Sequence, residues 1–77
     1  MWIKREGSET VNLQYTQSIE KKTFKDDNGK ACTFIIRFWQ QHKNQCDFDF
    51  NSAKERDEYF DALMGFIKAE EVPLLKL

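Results

Sequence analysis

Apolar and polar residues alternate along much of the chain up to position 50, and this period of two is typical of strands with one buried face. Asp47 and Asp49 stand between apolar residues in this pattern and should point to water. The alternation predicts strands in three segments, and a further short strand is expected near Trp2. The apolar residues that share a face in these segments are Val11, Leu13 and Tyr15; Cys32, Phe34, Ile36 and Phe38; and Cys46, Phe48 and Phe50.

Two polar runs predict the turns between strands. Asn28 and Gly29 are residue types that tolerate positive φ, so segments 19–24 and 31–39 should pair as a hairpin around them. The run 40–45 should close a second hairpin. The register that aligns the apolar sets places Phe38 opposite Cys46, Ile36 opposite Phe48 and Phe34 opposite Phe50.

After position 50 the apolar spacing changes to three and four residues, which predicts a helix with one apolar stripe. Ser52 and Glu55 match a capping box at its start, and Pro73 prevents its continuation, so we place the helix at 53–69. Gly65 destabilises it by up to about 1 kcal/mol relative to alanine. Either close packing against the sheet requires this glycine or the helix is weaker there. The stripe consists of Tyr59, Phe60, Leu63, Phe66 and Ile67.

A run of strands followed by one helix indicates an α+β fold. We expect an antiparallel meander of four or five strands within residues 1–50, one C-terminal helix packed across one face, and an apolar tail at 70–77. The 77 residues have room for one domain. Seven phenylalanines, two tryptophans and two tyrosines supply most of the burial, so this domain should fold without a metal or a disulfide.

Charge and hydropathy argue against several classes of function. Twelve basic and thirteen acidic residues give a net charge of −1, so no overall field draws the chain to nucleic acid or to an anionic membrane. No stretch approaches the roughly 20 apolar residues of a membrane span, and positions 1–6 lack the apolar core of a secretory signal. We therefore expect a cytoplasmic protein without membrane contact.

Residue types that carry catalysis or bind metals are sparse. His42 and Cys46 have an H-x3-C spacing, but a metal needs three or four converging ligands, and the strand alternation directs Cys46 away from the neighbouring aspartates. No glycine-rich phosphate loop is present, and no nucleophile pairs recognisably with His42, the single histidine. We predict no cofactor, no metal site and no enzymatic activity.

The two cysteines should remain thiols. Cys32 lies six residues before Phe38, the predicted neighbour of Cys46, and six residues span about 20 Å along a strand. We expect both side chains to behave as small, buried apolar groups.

Two apolar surfaces lack a partner in this arrangement. Ile35 and Trp39 lie on the strand face opposite Phe34, and one helix can cover only one face. The apolar tail either folds back onto the sheet or forms an arm for a partner or a second copy. We therefore predict a non-catalytic module for protein–protein interaction or self-association as a homodimer. Its partner-binding residues would be Ile35, Trp39, Leu74, Leu75 and Leu77.

Binding of single-stranded nucleic acid is the alternative function. Sheets with this function combine aromatic residues that stack on bases with cations that contact phosphates. The negative net charge and the lack of an RNP-like aromatic motif favour a protein partner. The cations that would serve the alternative are Lys21, Lys22, Lys25, Lys30 and Arg37.

The chain contains the short motifs Val11-Asn12-Leu13, Ile19, Phe48-x-Phe50-x-Ser52 and Glu55-Arg56-Asp57. Together they look like those of small bacterial hypothetical proteins with a pleckstrin-homology-like sheet capped by a C-terminal helix. The resemblance covers residues 2–68 and implies a binding scaffold rather than an enzyme. A full pleckstrin-homology sandwich has seven strands, whereas this chain has room for about five, and no basic loop for phosphoinositides is present. The order of elements is also similar to that of single-stranded-DNA-binding coactivator domains.

Overall fold

The computed structural model describes residues 2–41 and 44–70 and confirms an α+β fold with one C-terminal helix packed on a sheet. β3, β4 and β5 form an antiparallel three-stranded sheet in that order, and β1 pairs with β2 as a separate two-stranded sheet. The elements are β1 (Trp2–Ile3), β2 (Val11–Asn12), a 3-10 helix (Leu13–Tyr15), β3 (Thr16–Lys25), β4 (Ala31–Gln40), β5 (Gln45–Phe50) and α1 (Ala53–Ala69).

β3 and β4 form the hairpin that was predicted around Asn28 and Gly29. Gly29 has a φ of 80°, which glycine adopts without steric cost, and its N–H donates to the carbonyl of Asp26 at 3.0 Å. Asp26 also closes the turn with its side chain, because its Oδ1 accepts hydrogen bonds from the N–H groups of Asn28 and Lys30, both at 2.9 Å. The hairpin is therefore held by a carboxylate as well as by its glycine.

The register of β4 against β5 confirms the predicted one. It places Phe34 opposite Phe50, Ile36 opposite Phe48 and Phe38 opposite Cys46. The rings of Phe38 and Phe48 pack with their centroids 4.7 Å apart. The core is formed on this face of the sheet by Val11, Leu13, Ile36, Phe38, Phe48, Phe50 and Leu63.

The helix α1 has the predicted bounds, Ala53–Ala69. Ser52 caps it, since its Oγ accepts a hydrogen bond from the N–H of Glu55 at 3.1 Å, while the Glu55 carboxylate pairs with Arg5 at 3.2 Å. The predicted stripe is wrong for Phe66, whose side chain is 40% exposed. Phe66 lies at the margin of the stripe, about 60° around the helix from buried Leu63.

The prediction of a strand at 11–15 is correct for Val11 and Asn12 and wrong for the three residues that follow. The Asn12 side chain accepts a hydrogen bond from the N–H of Gln14 at 3.0 Å, and the chain turns into the 3-10 helix. Asn12 is consequently buried rather than solvent-facing, and Tyr15 is exposed rather than buried. The hydroxyl of Thr16 donates to the Asn12 carbonyl at 3.1 Å, which anchors the turn to the start of β3.

Both cysteines are free thiols, and the prediction that both are buried is wrong for Cys32. Phe24 pairs with Thr33 and Lys25 with Ala31, so Cys32 is the extra residue of a bulge and has no register partner on β3, although its Sγ donates to the Phe24 carbonyl at 3.6 Å. The bulge leaves the Cys32 side chain exposed. Cys46 is half-buried, and this burial raises the pKa of its thiol.

Gly65 weakens the helix without any packing benefit within the described chain. Apart from its chain neighbours and the adjacent backbone of the helix, nothing lies within 4 Å of the position that a Cβ at residue 65 would take, and the residue is exposed. We expect Gly65→Ala to raise the free energy of unfolding by about 0.5–1 kcal/mol, measured by urea denaturation. Ala62→Gly, the reverse change at an exposed position one turn earlier, should lower it by a similar amount. A Gly65→Ala protein that is less stable than the parent would contradict this account.

Candidate functional site

The face of the sheet opposite the core forms the candidate site. The helix, both short strands and the 3-10 helix contribute side chains to the core cluster, and the described residues place no helix or strand over the other face. We call this surface the open face. Strand alternation assigns to it Ser18, Glu20, Lys22 and Phe24 of β3, Thr33, Ile35, Arg37 and Trp39 of β4, and Gln45, Asp47 and Asp49 of β5.

Arg37 lies at the centre of the open face, in register with Glu20 on one side and Asp47 on the other. Its Nε and Nη2 donate to the two carboxylate oxygens of Asp47 at 2.9 and 3.0 Å. This bidentate hydrogen bonding to Asp47 raises the pKa of Arg37. The Arg37 Cζ atom lies 5.6 Å from the ring centroid of Trp39 and 5.7 Å from that of Phe24. The guanidinium is therefore fixed by a carboxylate and flanked by two aromatic rings.

Trp39 is fixed by a hydrogen bond across the hairpin. Its indole Nε1–H donates to Oε1 of Glu20 at 2.9 Å, and the Nζ of Lys22 lies 3.5 Å from the same oxygen. The indole hydrogen bond lowers the pKa of Glu20 below its ordinary value of 4.5. Half-buried Trp39 thus presents a ring of defined orientation at the open face.

The Glu20 carboxylate should make stability depend on pH. A carboxyl group whose pKa is lower in the folded chain than in the unfolded chain stabilises the fold at pH values above its unfolded pKa. This stabilisation is lost as the pH falls through its folded pKa. We expect Glu20→Gln, which keeps the hydrogen-bond acceptor for Trp39, to make the loss of stability between about pH 5 and pH 3 less steep. Urea midpoints measured across this range test it. Glu58→Gln, the same change on the exposed side of the helix, is the control, and equal slopes in the two variants would contradict the prediction.

The expectation that Ile35 is exposed is wrong, since the residue is 2% exposed, and its assignment as a partner-binding residue stays a prediction. Phe24 of β3 lies opposite Thr33, which is two residues before Ile35 on β4, and Arg37 lies two residues after Ile35 on the same strand. The Phe24 ring and the Arg37 guanidinium approach each other at 5.7 Å, so they meet above Ile35 and shield it. The large exposed apolar side chain of the open face is Phe24, at 40%, which the sequence analysis assigned only to a strand.

The cations predicted for nucleic-acid binding do not form one cluster. Lys21 lies on the core side of the sheet, with its Nζ 3.6 Å from Asp57 and 5.1 Å from the ring centroid of Phe60. On the open face, Lys22 pairs with Glu20 and Arg37 with Asp47. Lys25 and Lys30 are exposed near the turn of the first hairpin.

Arg56 is a buried residue of the helix that the sequence analysis missed. Its side chain is 9% exposed, and its Nη1 donates to the carbonyl of Lys22 at 2.8 Å and to the hydroxyl of Thr23 at 2.7 Å. Its Nε donates to Asp57 at 3.0 Å, and this hydrogen bond lowers the pKa of Asp57. Arg56 therefore ties the helix to β3, the strand at one edge of the sheet.

The spacing of apolar residues on the helix already indicates that Arg56 is buried. Arg56 lies one turn before Tyr59 and Phe60 on the stripe that continues to buried Leu63, so it faces the sheet and not the solvent. A charged residue on the apolar stripe of a helix indicates a buried cation with partners on the sheet.

The other edge of the sheet, β5, is flanked by the segment between β1 and β2. The Arg5 guanidinium lies 4.0 Å from the ring centroid of Phe50, and, after burial, the nearby Glu9 carboxylate contributes to the raised pKa of Cys46. Loops and charges along sheet edges oppose pairing with other strands. The open face, by contrast, is covered by no helix or strand of the described residues.

Other predicted features lie outside the described residues. These include His42 and the tail residues Leu74, Leu75 and Leu77. Within 2–41 and 44–70, no three His, Cys, Asp or Glu side chains are grouped so that they could hold a metal ion. No helix in these ranges is both long and apolar enough to cross a membrane.

Comparison of the chain with protein-family models, with curated proteins and with solved structures found no match.

Proposed function

We propose that this protein is a non-catalytic, cytoplasmic binding module whose open face contacts a protein partner. The observation that supports it most is the cluster of Phe24, Arg37 and Trp39 on a sheet face that no described element covers. Tryptophan and arginine are among the residue types that contribute most to protein–protein binding. The resemblance to small bacterial proteins with a pleckstrin-homology-like sheet, which stays a prediction, implies the same kind of function.

The arrangement of the cluster favours tight recognition. Arg37 is held by two hydrogen bonds to Asp47, and Trp39 by one to Glu20, so neither long side chain has to be ordered when a partner binds. Ordering one such side chain typically costs about 0.5–1.5 kcal/mol of binding free energy. The partner would therefore meet a surface whose shape and hydrogen bonds are already established.

Nucleic acid fits the open face less well than a protein does. Its two cations, Lys22 and Arg37, are each paired with a carboxylate, and the face also carries Asp49. Phosphates would have to compete with these carboxylates. Nucleic-acid binding predicts affinity that falls steeply with salt, whereas a protein contact centred on Trp39 and Phe24 keeps an apolar contribution that salt does not screen.

Site-specific photocrosslinking of the full chain in its native cell tests the proposal. A photoreactive residue replaces Phe24 on the open face in one variant and Phe66 on the helix in the other. The two phenylalanines are matched controls, since both are 40% exposed. We expect a defined protein adduct from position 24 and none from position 66. An adduct from position 66 alone, or adducts only with nucleic acid, would contradict the proposal.

A further inference from the structure

Charge on the open face is distributed unevenly. Arg37 pairs with Asp47 and Lys22 pairs with Glu20, but Asp49 is exposed, and no described cation forms an ion pair with it. The face thus carries three carboxylates against two cations. The uncompensated charge is negative and lies on β5, at one side of the face.

The carboxylates on β5 match the repeat of an extended chain. Asp47 and Asp49 lie two residues apart on one strand face, a separation of about 6.7 Å. Alternate side chains of any extended segment repeat at the same distance. Lysines or arginines at alternate positions of a segment parallel to β5 would therefore contact both aspartates. The intervening side chains of that segment would point across the face towards Phe24 and Trp39.

The size of the open face favours a single segment over a second copy of the protein. The outer strands lie about 10 Å apart, and the six residues from Thr33 to Trp39 span about 20 Å along β4. The area of the open face is therefore a few hundred Å². A stable dimer interface buries about 800 Å² on each partner. An extended segment of about seven residues covers the face fully.

We propose that the open face receives an extended, basic segment of a partner protein. Its alternate cations would contact Asp47 and Asp49, and its apolar side chains would contact the rings of Phe24 and Trp39. This inference rests on the proposed function and specifies the partner. The same acidic excess disfavours acidic segments and nucleic acid.

Titration of the 15N-labelled full chain with defined probes tests this inference. The probes are a peptide of about nine residues that alternates lysine and valine, its counterpart with glutamate in place of lysine, and an oligothymidine of similar length. The basic peptide should shift the amide resonances of Asp47 and Asp49 and the indole resonance of Trp39. Its affinity should exceed that of the acidic peptide by about tenfold or more.

Two matched variants complete the test. Asp49→Asn should weaken binding of the basic peptide about three- to tenfold, and Asp61→Asn on the exposed side of the helix should leave it unchanged. Equal affinity for both peptides at the open face would overturn the charge preference but leave the face as a binding surface. Shifts confined to the helix would contradict both the inference and the proposed function. The lack of any response to the basic peptide, or a response to oligothymidine alone, would overturn the inference.

Discussion

Replacement of Arg56 by alanine should lower the free energy of unfolding by about 3 kcal/mol, a large part of the stability of a domain of this size. Removal of the guanidinium leaves the Lys22 carbonyl and the Thr23 hydroxyl without their hydrogen-bond donor. It also removes the aliphatic stem of a side chain that packs beside Phe34, with the guanidinium 5.7 Å from that ring centroid. Urea denaturation followed by circular dichroism measures the loss.

Two variants separate the role of the guanidinium from a general effect of charge on the helix. Arg56→Lys keeps the charge and most of the stem but not the planar donor group, so it should recover only part of the stability. Lys54→Ala removes an exposed cation from the same helical turn and should change the free energy of unfolding by less than about 0.5 kcal/mol. If Arg56→Ala were as stable as Lys54→Ala, the bridge from the helix to the edge of β3 would contribute nothing to the fold.

Replacement of Trp39 by serine should weaken binding of the crosslinked partner at least about 30-fold and leave the chain folded. The partner loses the ring, and Arg37 loses one of its two flanking aromatic groups. The core cluster lies on the other side of the sheet and does not include Trp39, so the fold should survive. Calorimetric titration gives the affinity, and the melting curve reports the fold.

Trp2→Ser is the matched control for Trp39→Ser. Trp2 is the more exposed of the two tryptophans and lies on β1, which belongs to the separate two-stranded sheet. Its replacement should leave affinity for the partner unchanged. Unfolding of the Trp39→Ser chain would show that Trp39 belongs to the core, and unchanged affinity in a folded Trp39→Ser chain would show that the partner binds elsewhere.

Strongly periodic segments of this chain could be predicted from sequence because local spacing and burial agree in them. The β4–β5 register followed from the alternation that ends at Phe38 and starts again at Cys46, and the helix bounds followed from Ser52 and the apolar stripe. The conformation of segment 11–15 could not be predicted in this way, because the Asn12 side chain competes with strand formation by accepting a hydrogen bond from the Gln14 backbone. The bulge at Cys32 depends on how β4 pairs with β3 across the hairpin, which the spacing of apolar residues does not determine.

The candidate site was predicted only in part. Alternation correctly assigned Trp39 to the face opposite the core. It wrongly predicted an exposed Ile35, because alternation does not show how the side chains of Phe24 and Arg37 reach across the hairpin to shield it. The pairing of Arg37 with Asp47 follows from the predicted register once both residues are placed on one face. Long side chains that cross from one row of a sheet to the next are the feature that alternation alone does not show.

The most direct test of the central claim is a map of the chemical-shift changes that the crosslinked partner causes in the 15N-labelled full chain. The claim predicts that the largest changes fall on the open face, at Phe24, Arg37, Trp39 and Asp49, and that exposed helix positions such as Asp61 and Phe66 do not change. Changes confined to the helix, with the open face unaffected, would contradict it.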